Sequence, residues 1–275
     1  MSAFVRHYLL AIQFFTRIPV TGALADWVGY NPQMLRASAA HLPGVGWVVG
    51  GAVAVVSWGV LALLPSGPQM LFSPLVAAVL GTVLSVLLTG AFHEDGLADV
   101  ADGLGGAQSR ARALDIMKDS RIGAFGAIAV ALALLLKVAL LALLGSVSTM
   151  HLCAGLFAGH VVSRTWPLLM IRLLPHVGDV AASKSKPLAE QITPTALVVA
   201  YIWCFAAIAL VLLAQTAITS VAIGVAVLAS GLAFVWMWRW FARRLQGFTG
   251  DCLGATQQVC ELAFYLGLAL ACGVR

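Results

Sequence analysis

The chain has 275 residues, 61% of them hydrophobic and only 10% charged. Soluble domains run near 45–50% apolar and about 25% charged, so this balance excludes an ordinary soluble enzyme, and it excludes disorder equally. The net charge of +5 is small for such a length and reads as orientation bias rather than nucleic-acid binding. Eight tryptophans and 27 glycines fit a helical membrane protein. The expected fold is all-α, a polytopic integral membrane protein forming one embedded domain over residues 1–275.

At the N-terminus Arg6 precedes the short run LLAIQFF, which Gln13 interrupts and Arg17 closes. No A-x-A site follows, so a short helix lying at the interface or dipping into the membrane is expected rather than a cleaved signal. Apolar stretches long enough to span a bilayer lie at 45–64, 71–92, 122–144, 152–174, 196–214, 217–238 and 258–274. That predicts about seven transmembrane helices. Turn signals separate them: PSGPQ at 65–69, SVST at 146–149 and KSKP at 184–187. The cysteines 153, 204, 252, 260 and 272 are odd in number and contain no C-x-x-C, so they read as small apolar fillers.

Charge orients this map. Thirteen of the sixteen basic residues fall before residue 45 or in the connections 92–122, 172–195 and 239–257. The alternate connections 65–70, 145–151 and 215–216 hold none. The positive-inside rule therefore places the N-terminus and the charged connections in the cytoplasm. All eleven acidic residues, Glu261 included, are expected on that same side. An ion transporter usually keeps some charge near the midplane, so this one-sided distribution favours chemistry at the membrane surface.

Residues 93–106 read HEDGLADVADGLGG. Asp95, Asp99 and Asp102 stand at i, i+4 and i+7, which puts three carboxylates on one helical face. At roughly 6 Å and an effective dielectric near 20, each like-charge pair costs on the order of 3 kcal/mol. No Lys or Arg lies between residues 37 and 109 to relieve that repulsion locally. A divalent cation would relieve it, and an all-oxygen set suits magnesium or manganese with water and substrate phosphate completing the shell. His93 and Glu94 join the cluster as proton carrier, extra ligand or orienting group. An acidic run is often only a solvated surface. Here helical register, nearby glycines and following basic residues argue for metal-assisted phosphoryl transfer.

In the next segment, IMKDSRIGAFG at 116–126, Asp119 stands four residues after Asp115, and Lys118 and Arg121 offer phosphate-binding charge. Ser120 and Gly123 precede a long apolar run whose first amides are expected to face a phosphate. Within the span 152–174, His160 and Arg164 are four apart, and a membrane-buried Arg is functional by default, with a structural ion pair as the alternative. Asp251 lies between glycines after a basic cluster and suits a phosphate or metal contact, or a plain turn.

Five motifs in order, FTRIPV (15–20), HEDGLADVADGLGG (93–106), MKDSRIGAFG (117–126), GHVVSR (159–164) and GFTGDCLGATQQ (247–258), resemble the adenosylcobinamide-GDP ribazoletransferase, or cobalamin synthase, family. The resemblance runs from about residue 10 to the C-terminus. It implies a magnesium-dependent multi-pass enzyme of the bacterial inner membrane, with manganese as a substitute and the active site facing the cytoplasm. The implied reaction joins adenosylcobinamide-GDP to alpha-ribazole or its 5'-phosphate, releasing GMP. Carried over by motif, Glu94, Asp95, Asp99, Asp102 and Asp119 hold metal, while His93, Lys118, Arg121 and Arg164 are catalytic. Ser120, His160, Ser163, Asp251 and Gln257 contact substrate. A membrane assembly with other cobalamin-pathway enzymes is a further expectation.

Two rival readings are weaker. A CDP-alcohol phosphotransferase also carries a D-G-rich acidic motif, but there an Arg follows the alanine, where this chain has Asp99 after Ala98. A cation or corrinoid transporter predicts polar groups at opposed membrane depths, and the spans 45–64, 71–92 and 196–238 offer almost none.

Overall fold

The structure is a computed structural model that describes residues 2–65, 72–178, 192–214 and 218–273. Asp179, Lys184, Lys186 and Glu190 lie outside the described residues. Among the described residues, twelve α-helices follow one another: α1 (Ser2–Phe15), α2 (Ala23–Val28), α3 (Pro32–Ser38), α4 (Leu42–Leu63), α5 (Ser73–Thr89), α6 (Phe92–Gly106), α7 (Arg110–Met117), α8 (Ala124–Val147), α9 (Thr149–Leu173), α10 (Pro194–Leu213), α11 (Ser220–Arg244) and α12 (Gly250–Gly273). No strand occurs among the described residues; a single bridge joins His176 to Phe248. The all-α expectation holds.

Helix starts follow local chemistry. The Asn31, Ser148, Thr193 and Thr219 side chains each accept a backbone N–H three residues on, which satisfies a donor the helix itself leaves open. The short apolar helix expected at the N-terminus is α1.

Among the described residues, four helical segments are long and apolar enough to cross a membrane: the one ending in α4, and α8, α10 and α11. A fifth crossing is reached if α5 is joined to α6 across the 89° bend between them. The two other long helices, α9 and α12, run 25 and 24 residues but carry charge at Arg164, Arg172, Asp251 and Glu261. The bend has a local cause. Gly90 (φ 65°) and Ala91 (φ 58°) are both left-handed, a state that glycine adopts freely and alanine at a cost of about 1–2 kcal/mol. With four carboxylates in 15 residues, α6 packs on α12, α8 and α7.

The central helix is α9, packed on α4, α12, α10 and α8. Gly46 of α4 abuts His160 and Val161, and Gly50 abuts Phe157, so the two helices run antiparallel. Likewise Gly159 abuts Tyr265 and Gly155 abuts Leu268, so α12 is antiparallel to α9 as well. Small residues let membrane helices close to backbone contact in this way. Leu135, Phe205, Leu228 and Leu232 face outward, as lipid-facing residues should.

This packing brings the charged connections to one end of the bundle. Arg110 Nε donates to Leu245 O at 2.6 Å, and Arg244 Nη2 donates to Ala107 O at 2.6 Å. Val177 N donates to Phe248 O at 2.9 Å, and Arg17 N donates to Leu88 O at 2.7 Å. The connections that share basic residues in sequence are therefore tied together in space.

Candidate active site: an acidic row beside a buried polar network

The acidic row lies along α6 where that helix crosses the start of α12. At the crossing, a methyl on Gly96 would stand 2.8 Å from Asp251 O, so only glycine lets the helices meet this closely. Gly254 of α12 meets the His93 backbone in the same way. Asp251 is thereby delivered beside the row, as the sequence suggested. Asp95 is exposed and Asp99 is half-buried. Burial, reinforced by the charges of Asp251, Asp95 and Asp102, pushes the Asp99 carboxyl up to about 7. The like-charge crowding expected from the i, i+4, i+7 spacing is present, with Asp251 added from a distant part of the chain.

Asp102 has a different occupation from its neighbours. Its Oδ2 accepts from Gly123 N at 2.7 Å and its Oδ1 accepts from Gly126 N at 2.8 Å. It caps the N-terminus of α8 from another helix. The amides expected to face a phosphate therefore face a carboxylate instead, because Asp102 reaches them first. Asp119 also stands apart from the row. It forms a solvent-facing ion pair with Arg121 at 2.6 Å, and those hydrogen bonds hold its carboxyl down at about 2. Lys118 caps the C-terminus of α7, and Lys118 and Ser120 are exposed on the same connection.

The donor set of Asp95, Asp99 and Asp251 is all oxygen and short of positive charge, which fits magnesium or manganese. Among the described residues, no three carboxylate, imidazole or thiol groups converge closely enough to form a ready metal shell. Side-chain rotation is needed to build one.

The opposite face of α6 enters a buried polar network. Glu94 Oε1 accepts from Gln258 Nε2 at 3.0 Å, and Gln258 Nε2 also donates to Gln257 Oε1 at 3.0 Å. Gln257 Nε2 bonds to Ser163 Oγ at 3.0 Å and to Glu261 Oε2. Glu261 Oε1 pairs with Lys137 Nζ at 2.6 Å and accepts the Tyr265 hydroxyl at 2.9 Å. Arg164 Nη1 lies 2.8 Å from His160 Nδ1 and donates to His160 O at 2.9 Å. His93, Glu94, His160, Ser163, Arg164 and Gln257 are all buried. Apart from His93, which stacks edge-on against Phe92, they form one cluster linked through Glu261 and Gln258.

One expectation is overturned here. Glu261 does not sit at the charged surface with the other acids; it is 1% exposed and paired inside the bundle. The sequence reading counts it with the other ten acids on the charged side, whereas α12 continues unbroken past Gly250 and carries it inward. Gln258, read with Gln257 as able to hydrogen-bond a base or amide, joins this network, whereas Lys137, Glu261 and Tyr265 carry no site role in the sequence reading. The available signal was Lys137, the one charged residue in the 24-residue apolar helix α8. All five cysteines are free, and Cys204, Cys252 and Cys260 are buried fillers as expected.

A family model described as cobalamin-5-phosphate synthase matches residues 7–269. The adenosylcobinamide-GDP ribazoletransferase of Albidiferax ferrireducens is 66% identical, covering 98% of this chain and 99% of the relative. The enzyme of the same name from Polaromonas naphthalenivorans is 62% identical over 98% of the chain and 100% of its own length. That from Vibrio cholerae is 40% identical over 97% and 95% respectively. No solved structure matches. With its motifs in order and a match along nearly its whole length, the chain belongs to the cobalamin-5-phosphate synthase family.

Proposed function

We propose that this chain transfers adenosylcobinamide phosphate from adenosylcobinamide-GDP to alpha-ribazole or its 5'-phosphate. The attacking hydroxyl of the ribazole forms a new phosphodiester, the diphosphate bond breaks, and GMP leaves. The carrying observation is the acidic row, where Asp95 and Asp99 of α6 meet Asp251 of α12 at a helix crossing. These three carboxylates would hold a magnesium ion, which when bound supplies charge neutralisation for the diphosphate and its departing phosphate. Lys118 and Arg121, exposed on the neighbouring connection, attract the same anion. The proton from the attacking hydroxyl falls to a carboxylate of the row. His93 is buried against Phe92, which suits a holding role better than that of a base.

The protein is read as one embedded domain with seven crossings, α4, α5, α8, α9, α10, α11 and α12. Helix lengths of 17 to 25 residues support that count, since spanning takes about 17–25 residues. The basic connections gathered at the row's end of the bundle support a cytoplasmic site in the bacterial inner membrane. One experiment tests both reaction and orientation. Inside-out inner-membrane vesicles carrying the protein should release GMP from adenosylcobinamide-GDP only when alpha-ribazole or its 5'-phosphate is added, and sealed right-side-out vesicles should not. Absence of GMP from both preparations refutes the reaction, and release confined to right-side-out vesicles refutes the orientation.

A further inference from the structure

Lys137 of α8 and Glu261 of α12 are each 1% exposed and 2.6 Å apart. A buried ion pair is often no more stabilising than apolar residues of the same size, so stability alone does not account for it. What the pair connects is informative. Glu261 Oε2 takes Gln257 Nε2, Gln257 Oε1 takes Gln258 Nε2, and Gln258 Nε2 reaches Glu94 Oε1. An unbroken polar chain therefore runs from α8 through α12 to α6 and ends one residue before Asp95. A second arm leads from Glu261 past His160, whose Nδ1 lies 3.7 Å from Oε2, to Arg164. Lys137 and Arg164 balance Glu261 and Glu94, two charges against two. Among the described residues, Glu94 Oε2, Lys137 Nζ, His160 Nε2 and Arg164 Nε are buried without a well-aligned hydrogen bond, Lys137 keeping its ion pair with Glu261, so the orientation of each group rests on the few contacts it does make.

We propose that Lys137 and Glu261 are positioning residues for the acidic row. Through Gln257 and Gln258 they set the register of α6 against α12, and so the spacing of Asp95 and Asp99 from Asp251. This rests on the metal-holding role given to that row above. Outer-shell groups that orient metal ligands typically change metal affinity or activity about 10–100-fold when removed.

The test separates positioning from plain structural support. Lys137→Met with Glu261→Met removes one positive and one negative charge together, leaving the remaining buried charges balanced. This double variant should insert and melt near the wild-type temperature. It should need about tenfold more Mg2+ for half-maximal GMP release, with the KM for adenosylcobinamide-GDP unchanged. Gln258→Leu keeps the ion pair but breaks its link to Glu94, and should shift the Mg2+ requirement in the same direction; it decides the matter if the double variant fails to fold. Wild-type Mg2+ dependence in a folded double variant or in Gln258→Leu overturns the proposal. A wild-type protein that releases no GMP would instead overturn the reaction itself.

Discussion

Asp99→Ala is expected to abolish transfer while leaving insertion and thermal stability nearly unchanged. Asp99 is half-buried among Asp95, Asp102 and Asp251, so its removal breaks the carboxylate array at its centre. Folding should survive, because deleting one of several repelling carboxylates relieves strain in the metal-free protein. Loss of a preorganised electrostatic contact predicts a fall of about 100-fold or more in turnover, or roughly 2.7 kcal/mol of transition-state stabilisation. Asp26→Ala serves as the control, since Asp26 is an exposed acid on α2, outside every motif. GMP release by both variants, read beside their melting temperatures, decides the outcome. If both stay as active as the wild type, the row is only a wet helix surface.

Asp102→Ala should fail in a different way. Its two carboxylate oxygens hold the amides of Gly123 and Gly126 at the start of α8, the helix that carries Lys137. A carboxylate at a helix N-terminus satisfies open donors and favours the helix dipole. Truncation leaves the buried Gly126 amide unpaired and the Gly123 amide to solvent, at a cost on the order of 1–3 kcal/mol. The expected result is a melting temperature several degrees lower in detergent, with partial recovery in Asp102→Asn, which keeps one acceptor oxygen. An Asp102→Ala protein with wild-type melting and no turnover would make Asp102 a metal or substrate contact rather than a cap.

These two aspartates show where sequence reasoning reaches and where it stops. Helical register alone placed Asp95, Asp99 and Asp102 on one face, and α6 is indeed a helix. Register says nothing about which groups from elsewhere meet that face. The α8 amides claim Asp102, and Asp251 arrives only because Gly96 lets α12 approach. Apolar length likewise located the long helices, but not the 89° turn at Gly90 and Ala91, which depends on two successive left-handed residues. The balanced network was hidden for a related reason. Lys137 and Glu261 are 124 positions apart in sequence, and only the antiparallel packing of α9 and α12, with α8 beside them, brings their charges together. The MKDSR motif marks Asp119 and Arg121 in sequence, but only the fold shows that they pair with each other.

The central claim is that the row of Asp95, Asp99 and Asp251 works with a divalent cation. The most direct test is turnover of the purified protein in detergent after stringent metal removal, followed by adding metal back. GMP release from adenosylcobinamide-GDP and alpha-ribazole should vanish in excess chelator and return with Mg2+ or Mn2+. Undiminished turnover in excess chelator would contradict the account.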